Sequence, residues 1–201
     1  MASDTRAAII REASLMVDEG GEASLRVSRL AENVGVSIPS LYHHFSCRDE
    51  ILAAVHATRY VELAAADSDV IYDLVLRSET RDDLAAALMV VTREVVSLTR
   101  AETRMKRAVA LASSSGRPEL REVIVAETTR LVSQLSEAVL IAQRIGLADL
   151  TLNPRAIATF IVSYAAGLVA ADMDGERVSD EELAQVIDAF VDRVVLAPPK
   201  S

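Results

Sequence analysis

Apolar residues recur along most of the chain at intervals of three and four, the spacing of one helix face rather than the alternation of a strand. Ile9, Ala13, Met16 and Val17 predict a first helix from about Thr5 to Glu19, stopped by Gly20 and Gly21. Val27, Leu30, Ala31 and Val34 give a second, short helix over Val27 to Val34. Gly35-Val36-Ser37 is a tight turn, and a third helix runs from Ile38 or Pro39 to about His44. Pro39 suits a first helical turn, where its missing N–H costs nothing, and Leu41 and Phe45 share one face. Ser46, with Asp49 three residues on, reads as a capping box opening a fourth helix from Arg48 to about Ala65.

From Ala66 to Arg81 the pattern is ambiguous and reads as a loop with a helical turn or two. Helices are then predicted over about Asp82 to Leu98 and Glu102 to Ala112. After a break at Ser113-Ser114-Ser115-Gly116, a long helix runs from Pro118 to about Ile145 with Leu120, Ile124, Leu131, Leu135 and Ala138 on its apolar face. A loop covers Gly146 to Leu152. Asn153-Pro154 is an N-cap with proline in the first turn. The helix it opens carries Ile157, Phe160, Ile161, Tyr164 and Leu168 and ends at Gly175. Ser179 and Glu182 form a capping box for the last helix, whose stripe is Leu183, Val186, Ile187, Phe190, Val191, Val194 and Val195. Pro198-Pro199 is tail. The reading is all-α, without an internal repeat or a convincing strand. The expected organisation is an N-terminal three-helix unit over residues 1–47, a connecting helix over 48–65, a second, larger helical domain over 66–197, and a tail over 198–201.

Composition agrees with helix. Of the 201 residues, 51% are apolar and only 3% aromatic, and alanine and leucine, both strong helix formers, are abundant. The one cysteine, Cys47, excludes an intramolecular disulfide. Cys47, at a cap position, is not read as a redox sensor. The N-terminus lacks the layout of a signal peptide. The most apolar stretch, Ala156 to Ala171, is shorter than a spanning helix and contains Thr159, Ser163 and Tyr164. It reads as a buried core helix, so a cytoplasmic protein without a membrane partner is expected.

The function-bearing segment is the second helix, the turn and the third helix. Gly35 permits the reversal, Ser37 can cap the third helix, and Val34, Val36, Leu41 and Phe45 can fasten both helices to Ile9, Ala13 and Met16. Pro39, Ser40, Tyr42, His43 and His44 are left facing outward, in the manner of a helix whose N-terminal residues reach base edges in a major groove. The net charge of −9 counts against a nucleic-acid partner, but phosphate contact needs local positive charge, not a positive total.

The run Leu30-Ala31-Glu32-Asn33-Val34-Gly35-Val36-Ser37-Ile38-Pro39-Ser40-Leu41-Tyr42-His43-His44-Phe45 resembles the DNA-binding signature of the TetR family of regulators, and the likeness extends from about Thr5 to about Val55. The resemblance implies DNA contact by Ser40, Tyr42 and His43 and apolar contact by Ile38 and Pro39. It implies phosphate contact by His44 and Arg48. Arg26 stands where the family often has a capping Ser or Thr, which suggests a phosphate or minor-groove contact instead. With Ser37 these make the candidate DNA-binding set. The resemblance further implies a homodimer on a palindromic operator of double-stranded DNA, and repression relieved by a small apolar or amphipathic effector.

Candidate pocket residues are His56, Tyr60, Arg104, Phe160 and Tyr164. Candidate dimer contacts are Ile161, Gly167, Leu168, Ile187, Phe190 and Val194, because small residues at Ala166/Ala170 and Gly167/Ala171 allow close helix approach. Arg100, Arg104, Lys106 and Arg107 read mainly as a solvated face with one member turned inward. His43 and His44, being neighbours on a helix, do not suggest a metal site. No cofactor is expected, and enzyme motifs are absent, with no phosphate-cradling glycine loop and no Gly-x-Ser-x-Gly elbow. Two rival readings remain: a DNA-binding dimer without a ligand or governed by a protein partner, and a ligand-binding or enzymatic helical protein without DNA affinity.

Overall fold

The structure is a computed structural model that describes the backbone of residues 2–196 and the side chains of residues 4–62 and 70–196; the tail at Pro198 lies outside the described residues. The helices are α1 (Ala2–Gly20), α2 (Val27–Val34), α3 (Ile38–His44), α4 (Arg48–Arg77), α5 (Arg81–Val96), α6 (Ala101–Ser113), α7 (Pro118–Arg144), α8 (Pro154–Gly167), α9 (Val169–Asp172) and α10 (Asp180–Phe190). Among the described residues there is no strand; an isolated bridge joins Ala148 to Leu196. The chain forms two compact units, Met1–Tyr60 with Ala110–Ile124, and Val61–Val109 with Val125–Ser201.

The first unit is built on one apolar cluster. Ile9, Ala13, Met16 and Val17 of α1 pack with Leu30 and Ala31 of α2, Leu41 of α3, Phe45, and Ile51, Leu52 and Val55 of α4. The partly buried Val34 and Val36 close its edge. A smaller cluster sets Ala53 and Tyr60 of α4 against Ala110, Leu120 and Ile124.

The second unit holds several clusters. Val75, Leu84, Ala138, Ala142, Leu147, Ala148 and Leu196 form one. Val96, Leu168 and Ala184 form another, and Val132, Leu135 and Ala158 a third. Helices α5 and α10 are also joined by ions, with Arg93 reaching Asp188 and Glu181 at 3.1 Å each. Buried Gln143 closes the loop after α7 by donating to the carbonyls of Asp149 and Leu152.

Most caps stand where the sequence puts them. Asn153 accepts from the Ala156 amide at 3.0 Å. Ser179 and Glu182 form a reciprocal box, and Thr80 with Asp83 forms another that was not singled out from sequence. Satisfying free N–H groups in this way stabilises a helix start by about 1 kcal/mol.

Five expectations are corrected. The segment read as a loop from Ala66 continues α4 to Arg77. No glycine or proline interrupts it, and Ile71, Tyr72 and Val75 give it an inward face. The fourth helix opens at Arg48, so Ser46 is not its cap; the Ser46 amide donates to Glu50 instead. The helix opened by Pro154 breaks at Leu168 and is finished at Asp172, before Gly175. The last helix winds as a π-turn over Val191–Val195.

The fifth correction concerns burial. Pro154–Asp172 is long and apolar enough to cross a membrane by length and composition, yet only 17% of its apolar window is buried, so it is not a core helix within the single chain. Its inner side, Ile157, Ala158 and Leu168, meets the core. Its other side presents small and apolar residues to the surface, with Phe160 half exposed.

Candidate nucleic-acid interface

The turn between α2 and α3 has defined geometry. Gly35 is left-handed at φ 75°, ψ 32°. Its N–H donates to the Glu32 carbonyl at 3.0 Å, and Val36 N–H donates to Ala31 at 2.9 Å. These paired bonds are a Schellman ending, which satisfies carbonyls that the helix terminus would leave open. Ser37 then caps α3, its Oγ accepting from the Ser40 amide at 3.2 Å. Leu41 and Phe45 are buried, which fixes the rotation of α3 about its axis.

That rotation decides what faces out. Ile38 and Tyr42 are 42% and 44% exposed, large values for apolar and aromatic side chains. Pro39, Ser37 and His43 are exposed, while Ser40 and His44 are half-buried. Seven of the nine candidate DNA-binding residues thus lie on or at the start of one short helix. Arg26 is exposed at the N-cap of α2 and makes no capping bond. Arg29, exposed one turn further on, was not singled out from sequence. The signal was available: it stands three residues after Arg26, on the first turn of the same helix.

Arg48 is engaged with the protein itself. Its Nε donates to the Leu25 carbonyl at 3.0 Å and its Nη2 to the Glu22 carbonyl. It ties the start of α4 to the single helical turn Glu22–Ser24 that precedes α2. The Glu22 side chain is the centre of a wider network. It receives Arg117 through two bonds, His56 Nε2 at 2.8 Å and Ser113 Oγ at 3.2 Å. Hydrogen bonds from Arg117 hold its carboxyl down at about 2, against some opposing desolvation. Arg117 also reaches Asp49 at 2.9 Å.

The candidate pocket residues are divided. His56, paired to Glu22, and Tyr60 lie in the first unit. Arg104, Phe160 and Tyr164 lie in the second. Arg104, the member of its basic cluster that turns inward, is 6% exposed. It binds both oxygens of Asp172 at 2.6 Å and the carbonyls of Val95 and Ser97. Its hydrogen bonds lower the Asp172 carboxyl, and Arg177 and Asp180 extend the network. The Tyr164 hydroxyl is buried without a hydrogen-bond partner among the described residues, and burial raises its titration to about 12.

The candidate dimer residues separate by exposure. Leu168 is buried against Val96 and Ala184, and Ile161 and Ile187 pack partly against the chain's own core. Gly167 and Val194 lie at the surface. Phe190 touches Phe160, ring centroids 4.8 Å apart, at the meeting of α8 and α10. Val186, 68% exposed, belongs to the same surface.

Three packed helices with an αL-glycine turn and an outward second helix define a helix-turn-helix protein. Residues 9–55 match the sequence model of bacterial regulatory proteins of the tetR family. The match covers the N-terminal unit, so this segment is similar to the DNA-binding domain of tetR-family regulators.

Solved structures are similar over nearly the full length. A protein from Saccharomonospora viridis described as a transcriptional regulator, in complex with choline, aligns with TM-score 0.69 at 17% identity over 98% of this chain and 100% of that one. A TetR transcriptional regulator from Chloroflexus aurantiacus gives 0.67 at 17% over 98% of each chain. Reduced NemR from E. coli gives 0.62 at 16% over 97% and 100%. At such identities the likeness establishes the fold alone. No curated protein sequence matches the chain.

Proposed function

We propose that the chain acts as a homodimeric, sequence-specific repressor that leaves a palindromic operator when a small apolar or amphipathic effector binds. The observation that carries this reading is the outward row Ile38, Pro39, Tyr42 and His43 on a helix whose other face is locked by Leu41 and Phe45. A helix held so rigidly places side chains reproducibly in a major groove. Tyr42 and Ser40 read base edges, Ile38 and Pro39 touch thymine methyls, and Arg26, Arg29 and His44 meet phosphates. Arg48 positions the loop before α2 and has N–H groups left for a phosphate.

Dimerisation uses the exposed faces of α8 and α10. Gly167, Ser163 and Phe160 on α8, with Val186 on α10 and Val194 in the π-turn that follows it, supply small and apolar surface that a second copy covers in a four-helix contact. Pairing sets two reading helices about one turn of DNA apart. An effector relieves repression by binding the geometry that does not fit DNA more tightly. The choline held by the S. viridis protein supports a small organic effector for this fold.

Selection from a randomised duplex library tests the reading. A palindrome with half-sites about one helical turn apart, whose enrichment disappears in Tyr42→Ala, is the expected result. No enrichment by a folded protein at low salt overturns it and favours a helical ligand-binding protein without DNA affinity.

A further inference from the structure

Between Arg29 and Arg48 the chain has no lysine or arginine, so α3 reaches DNA without a permanent cation. Arg48, the next in sequence, is directed at the carbonyls of Leu25 and Glu22. The basic groups that α3 does carry are His43 and His44. Imidazole is the side chain whose ordinary titration falls between pH 5 and 8. From this geometry we infer that His43 and His44 make DNA binding proton-linked: the reading helix acquires its positive charge by taking up protons as it docks. The inference rests on the DNA-reading role assigned to α3.

Neither imidazole is paired with a carboxylate in any hydrogen bond or ion pair among the described residues. Of the charged groups on the elements around α3, Arg6 of α1 lies 4.9 Å over the ring of Phe45, next to His44. Asp4 and Arg11 are also on α1, and Glu12 there accepts from Asn33 at 2.6 Å. Helix α2 offers exposed Arg29 and Glu32. At the start of α4, Asp49 is held by Arg117, and Glu50 accepts the Ser46 amide. The two imidazoles are themselves 5.6 Å apart, edge to face. Two like charges at that spacing oppose each other until phosphates supply the counter-charge. Each proton bound on docking steepens the fall of affinity with pH, and each added cation–phosphate contact steepens its fall with salt.

Fluorescence anisotropy on the palindrome recovered by library selection, at constant ionic strength from pH 6 to 8, tests this. Affinity should fall at least tenfold over that range, with a steeper salt dependence at pH 6 than at pH 8. His43→Gln with His44→Gln should be nearly flat with pH, and His43→Arg should bind more tightly than wild type at pH 8 with a reduced pH slope. Circular dichroism establishes that each variant is folded. Wild-type affinity changing less than twofold, or a full slope retained in the folded double variant, overturns the inference while leaving DNA reading intact. Absence of binding at every pH, with no palindrome recovered, overturns the DNA-reading role itself.

Discussion

Arg117 and Glu22 stand 95 residues apart in sequence and share two hydrogen bonds, Nη1 to Oε1 at 3.0 Å and Nη2 to Oε2 at 2.8 Å. The pair fixes the turn before α2 to the segment between α6 and α7, inside one compact unit. His56, buried on α4, completes it.

The network sets a pH dependence of stability. Hydrogen bonds from Arg117 hold the Glu22 carboxyl at about 2 in the fold, well below the ordinary carboxylate range. A depressed carboxylate contributes stability that is present above its unfolded value and is lost as pH falls through its folded one. Glu22→Gln should therefore destabilise the protein near neutral pH by about 1 to 2 kcal/mol, a figure reduced because the carboxylate is one-third exposed. The difference should shrink between about pH 4.5 and 2. Urea unfolding at pH 7 and pH 3 measures it.

Arg104 and Asp172 are each 6% exposed in the side chain and bonded to each other twice. Removing one partner of such a pair leaves a buried charge and costs roughly 3–5 kcal/mol. Arg104→Ala should lower stability by that order, seen as a lower thermal midpoint. Arg104→Met with Asp172→Leu should recover most of the loss, because neither charge is then stranded.

Gly35→Ala isolates a backbone effect. A Cβ there meets nothing within 4 Å, so the cost comes from the left-handed φ alone. About 1–2 kcal/mol is expected, and less for Gly35→Asn, since asparagine tolerates that region better. Chemical denaturation of the two variants orders them.

The proposed association face predicts oligomeric state. Val186→Asp, at a 68% exposed position, should leave the folded chain's helix content unchanged and shift it from dimer to monomer in sedimentation equilibrium. A dimer of unaltered strength would place the interface elsewhere.

Much of the first unit was legible in sequence because its signals are local. Gly35, Ser37 and Pro39 each constrain their own turn, and the stripe from Val27 to Val34 fits one helix without competition. The caps at Asn153 and Ser179 were readable for the same reason. Across 66–77, apolar and acidic residues are mixed and no punctuating residue resolves them. Packing of Ile71, Tyr72 and Val75 against α5 and α7 residues decides for helix there.

The sequence by itself determined α2, α3, the turn between them and the outward-facing residues of α3, because hydrogen bonding along one short segment settles each of them. Only the tertiary structure decided the fate of the charges and of α8. Arg48 turns to backbone carbonyls, Arg104 to a buried aspartate and His56 to Glu22, since each finds its partner far along the chain. An apolar helix face looks alike in sequence whether its own core covers it or it is left for another molecule. Phe160, half exposed beside buried Ile157 and Ala158, takes its role from which neighbours the fold brings within reach.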